Sequence, residues 1–79
     1  MAYQKPVKVR GQILEIIDRD LLLVYVNEDY PAVRARVTGK QRMVYLRELV
    51  VGNELVFELH PEDRNHGRLA RRALDFTGL

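Results

Sequence analysis

The sequence contains no cysteine and no serine. Without cysteine there is no disulfide framework and no thiolate metal site, which suits a reducing compartment. Without serine there is no Ser-His-Asp set for acyl transfer. The two histidines, His60 and His66, have only carboxylates such as Glu62 and Asp63 to share a metal with. That spacing matches no zinc pattern, so neither metal nor cofactor is expected. Asp18 with Asp20, and Glu62 with Asp63, sit in polar turn segments, where carboxylates favour local backbone hydrogen bonds over general acid–base work. With no phosphate-cradling glycine loop either, no enzymatic activity is expected.

Long hydrophobic stretches are also missing. The longest apolar run is Leu21–Val26, far short of a membrane span. The first ten residues, MAYQKPVKVR, carry charge but no apolar signal core. A cytoplasmic location and no membrane partner are the expectation.

What is present is a chain of 79 residues, enough for one domain and near the lower limit for folding without staples. Its net charge is only +2, but the charge is segregated. Arg34, Arg36, Lys40, Arg42 and Arg47 form one block without an acid, and Arg64, Arg68, Arg71 and Arg72 form a second. Nine of the 13 lysines and arginines fall in these two blocks. A single cationic face, the footprint of a polyanion binder, is the implied arrangement.

Short strands separated by turn chemistry dominate the pattern. Strands are predicted at about 7–17, 21–27, 32–38, 53–60 and 68–74, with flexible ends at 1–5 and 75–79. Gly11 inside the first strand suggests a bend or bulge. Val33, Ala35 and Val37 alternate with Arg34 and Arg36, and Leu55, Phe57 and Leu59 alternate with Glu54, Glu58 and His60, so each strand has one apolar face. Leu69 and Ala73 are placed inward on the last strand. Residues 40–48 have Met43, Leu46 and Val50 at helical spacing and are predicted as a short helix, with Gly52 beyond its end. Three strands, a short helix and two further strands define an all-β, five-stranded Greek-key barrel, the OB-fold. Its usual ligand surface is the face of strands two and three with the adjoining loops, here Tyr25, Arg34 and Arg36 with Asp18–Asp20 and Pro61–Gly67.

Four segments resemble one family, bacterial translation initiation factor one: GQILE (Gly11–Glu15), VRARVTGKQR (Val33–Arg42), YLREL (Tyr45–Leu49) and GNELVFELHPEDRNHGRLARR (Gly52–Arg72). The similarity runs from about Val9 to Arg72. It departs from the family pattern at Gln41, where the family has methionine, and at Met43, Glu62 and Arg71; the tail ALDFTGL is also unlike the family. The resemblance implies a single OB-fold domain that binds the aminoacyl-tRNA site of the small ribosomal subunit, contacts ribosomal RNA, works with the other initiation factors and is a monomer when free. It further implies that Lys40 and Arg42 contact phosphates, with Arg47 close behind, and that Arg68 and Arg72 extend the cationic surface.

The residues themselves carry a compatible reading. Gly39 lets the backbone approach a phosphate, and Lys40 and Arg42 follow it. Arg34 and Arg36 beside Tyr25 form an aromatic–guanidinium platform suited to unstacked bases, unless they pair with Glu54 or Glu58. Met43 and Tyr45 either pack the helix onto the barrel or stack on a base, whereas Leu46 is assigned to the core. Two alternatives stay open. One is a general single-stranded RNA binder or chaperone of cold-shock type. The other is an OB-fold adaptor for proteins, using Leu21–Val26 or the tail Phe76–Leu79.

Overall fold

The computed structural model describes residues 6–60 and 74–79. The strands are β1 (Val7–Asp18), β2 (Leu21–Tyr25), β3 (Val33–Arg36), β4 (Glu54–Leu59) and β5 (Leu74–Gly78), and one helix, α1 (Gly39–Val44), lies between β3 and β4. They close into a barrel in the order β1-β2-β3-β5-β4. The β3–β5 pair is parallel and every other pair antiparallel. This is the OB-fold topology expected from the strand pattern.

β1 makes closure possible because it belongs to both sides of the barrel. Its first half, Val7–Gln12, pairs with β4. Its second half, Gln12–Asp18, pairs with β2 through register shifts at Ile13/Glu15 and Ile16/Asp18. Such irregularities bend a strand and increase its twist. Gly11 is not at either of them. It faces the core, where an added Cβ would lie 2.4 Å from Val24 Cγ1, so the glycine serves a close approach of strands rather than a bulge.

The alternation read in the sequence places the core. Ile13, Leu22, Val24, Val33, Ala35, Val37, Leu49, Leu55, Phe57, Leu59, Leu74 and Phe76 are buried, and among the described residues no polar side chain is buried with them. Phe76 is the hub: its ring meets Phe57 and Tyr45 edge-on, at centroid distances of 5.7 and 5.1 Å, the preferred geometry for aromatic pairs.

Two boundaries differ from expectation. Residues 75–79, expected to be a flexible end, instead carry most of the strand Leu74–Gly78 that completes the ring. Leu74, Phe76 and Gly78 point inward and Asp75 and Thr77 do not. Most of the expected strand, including Leu69, lies outside the described residues. The helix covers Gly39–Val44 instead of 40–48. Residues 45–48 continue as turns, and Gly52, at φ +95°, sits in a second turn just before β4, a conformation that glycine adopts readily.

Candidate nucleic-acid interface

On β3 the inward residues are Val33 and Ala35, so Arg34 and Arg36 stand on the outer face. Arg34 is the register partner of Leu23 on β2. Tyr25, two residues further along β2 and therefore on the same face, is exposed. The register makes Tyr25 a diagonal neighbour of Arg34 on the outer face.

The helix begins with a capping box. The Gln41 amide donates to Thr38 Oγ1 at 3.1 Å, and the Thr38 amide donates to Gln41 Oε1 at 2.9 Å. The two contacts satisfy two backbone donors reciprocally. Gln41 Nε2 also donates to the Phe76 carbonyl at 2.6 Å, so the residue that departs from the family pattern anchors the helix to β5. Gly39 is the first helical residue and does not have a positive φ. Open space surrounds its Cα, so other residues fit there equally well. Lys40 and Arg47 are exposed and Arg42 is half-buried.

The apolar residues of this segment divide differently from expectation. Leu46, assigned to the core, is 60% exposed, and Met43 is 77% exposed. Tyr45 and Leu49 bury instead: Leu49 belongs to the core and Tyr45 packs against it. The helix contributes no buried residue of its own. With so little cover, the barrel end keeps a groove of about 160 Å³ lined by Ile16, Leu22, Val37, Leu46 and Leu49, with Arg19 and Arg42 beside them. Arg19 and Ile16 were not singled out in the sequence. Arg19 lies between Asp18 and Asp20, a turn whose net charge is acidic. Ile16 follows the register shift, which no residue pattern announces.

Charge pairing separates the cations. Arg36 Nε lies 3.6 Å from Asp75 Oδ1; its partner is on β5, not Glu54 or Glu58 as the sequence suggested. The pair belongs to a row across four strands, in which register places Arg36 opposite Asp75, Asp75 opposite Glu58, and Glu58 opposite Lys8. Among the described residues no carboxylate pairs with Arg19, Arg34, Lys40, Arg42 or Arg47. Arg68 and Arg72, with Arg64, His66 and Arg71, lie outside the described residues, and so does the loop Pro61–Gly67.

No known protein-family model matches the sequence. Among the described residues no helix is long and apolar enough to cross a membrane.

Proposed function

We propose that this chain is an RNA-binding OB-fold protein of the translation-initiation-factor-one type. On this reading it works in the cytoplasm and occupies the aminoacyl-tRNA site region of the small ribosomal subunit. The observation that carries the reading is the set of cations Arg34, Lys40, Arg42 and Arg47, which have no carboxylate partner among the described residues, on a barrel of OB topology. Unpaired lysine and arginine keep their full charge for phosphates and release counterions on contact. Arg34 beside Tyr25 adds a stacking element for unpaired bases. The order of the four sequence segments supports the particular target.

The mechanism is occupancy. Lys40 and Arg42 meet phosphates at one end of the barrel, the outer face of β3 meets neighbouring bases, and no covalent bond changes. The experiment is co-sedimentation with purified bacterial small ribosomal subunits, repeated with the Lys40→Glu/Arg42→Glu double variant. Binding of the native chain and its loss in the variant support the reading. Equal binding to unstructured oligonucleotides would favour the chaperone alternative. Indifference to RNA, with a protein retained in pull-downs, would favour the adaptor.

A further inference from the structure

The outer side of the β4–β5 pair carries a cluster that RNA binding does not use. Glu58 and His60 are two residues apart, at the end of β4 and just past it, and side chains at that spacing project to the same face. Asp75 on β5 is the register partner of Glu58. His60 Nε2 lies 3.3 Å from Asp75 Oδ2 and 3.5 Å from Glu58 Oε1. One ligand atom from each residue falls within 4.8 Å of the other two.

Hydrogen bonding does not account for the arrangement. His60 Nε2 is buried at the atom level and makes no hydrogen bond among the described residues, and the same is true of Asp75 Oδ1. An imidazole nitrogen carries at most one hydrogen and cannot direct it at two carboxylates on different strands. The carboxylates are also directly opposite one another, a repulsive placement for like charges. Lys8 and Arg36 flank the row from outside and do not come between them. A cation held among the three atoms removes both problems.

The spacing selects the class of ion. A tetrahedral ion with bonds of about 2.0–2.1 Å requires its ligands to be about 3.3–3.4 Å apart. The two histidine–carboxylate separations are already near that edge length. One nitrogen and two carboxylate oxygens suit zinc, whereas calcium and magnesium favour larger all-oxygen sets. We propose that Glu58, His60 and Asp75 form a surface zinc-type site, with a fourth position open to water. Asp75 coordinates through Oδ2 and keeps Oδ1 toward Arg36. His60 supplies the nitrogen that the sequence assigned to no partner.

The test uses the untagged full-length chain titrated with Co²⁺, followed by Zn²⁺. The expected result is one equivalent of Co²⁺, an intense visible band of four-coordinate cobalt, and displacement of that band by Zn²⁺. His60→Gln, Asp75→Asn and Glu58→Gln should each abolish the band, whereas His66→Gln should retain it. Far-UV circular dichroism checks each variant. Glu58→Gln, a near-isosteric change at a partly exposed position, carries the test if another variant fails to fold. Absence of saturable binding by the native chain would overturn the proposal, as would binding that survives His60→Gln or disappears only in His66→Gln. The Lys40→Glu/Arg42→Glu variant should bind metal normally, so failure of the RNA reading and failure of this one are distinguishable.

Discussion

Gly11 on β1 lies directly against Val24 on β2: a Cβ added to the glycine would fall 2.4 Å from Val24 Cγ1 and 3.2 Å from Phe57 Cδ1. Val24 and Phe57 are both fully buried. Val24 is β-branched and has little rotamer freedom, and the Phe57 ring is held in a close-packed interior, so neither neighbour yields easily. Gly11→Ala is expected to destabilise the barrel by about 1–3 kcal/mol through overpacking. Urea denaturation should show a lower midpoint with an unchanged slope. An unchanged midpoint would mean that β1 and β2 separate freely at this point.

Tyr45 tests whether an aromatic beside a cationic loop serves the fold or the ligand. Its ring contacts Phe76 edge-on. Tyr45→Ala should cost at least the ~0.5–1.5 kcal/mol of an aromatic pair, with lost burial in addition. Tyr45→Phe preserves the ring contact and should keep both stability and RNA affinity. The comparison combines thermal unfolding with binding: a large loss of affinity in Tyr45→Phe, with stability retained, would transfer the residue to the interface.

The cations beside the capping box should act through charge. Replacing Lys40 and Arg42 with glutamine removes the two proposed phosphate contacts. The slope of log affinity against log salt should then shrink by about 1.4–1.8, from roughly 0.7–0.9 per contact. Both residues lack a carboxylate partner among the described residues, and surface substitutions of this kind shift stability by no more than about 0.5 kcal/mol. Fluorescence anisotropy with a ribosomal RNA fragment over a salt series measures the slope.

Arg34 and Arg36 share a strand face but not an electrostatic state. Arg36 is engaged by Asp75, and Arg34 has no such partner among the described residues. Arg34→Ala should therefore weaken RNA binding more than Arg36→Ala. Asp75→Asn, which frees Arg36, should strengthen it. The ion pair is long, at 3.6 Å, and Arg36 is exposed, so it contributes only about 0–1 kcal/mol to stability and unfolding midpoints should scarcely move. Equal affinities for the two arginine variants would argue against a role for charge on this face.

Most of the barrel was legible because alternation is local. Val33, Ala35 and Val37 against Arg34 and Arg36, and Leu55, Phe57 and Leu59 against Glu54 and Glu58, announce buried and outward faces within a few residues. The last strand was not legible in the same way. Leu74–Asp75–Phe76–Thr77–Gly78 carries the same alternation, but its last residues read as a flexible end. The helix misled for a related reason. Met43, Leu46 and Val50 recur at helical spacing, yet the helix stops at Val44 and all three are exposed. The residues that bury, Tyr45 and Leu49, owe their position to Phe76 and the barrel end, which are distant in sequence. The candidate interface was legible as composition: the cations are visible in the sequence, but which of them a carboxylate engages is not. That Asp75 engages Arg36, and that Glu58, His60 and Asp75 meet, follows from strand register alone.

The parallel pairing of β3 with β5 sets the order in which the molecule can be completed. β1, β2 and β3 are consecutive antiparallel neighbours, whose pairings are expected to form before more distant ones, and β4 adds to the free margin of β1. The ring then waits on the strand latest in sequence. Deleting Leu74–Gly78 would convert a closed cylinder into an open sheet, with unpaired amides along β3 and β4 and the Phe57 ring unroofed. Such margins recruit a second molecule edge to edge, so a shortened chain should emerge as an oligomer rather than as a looser monomer.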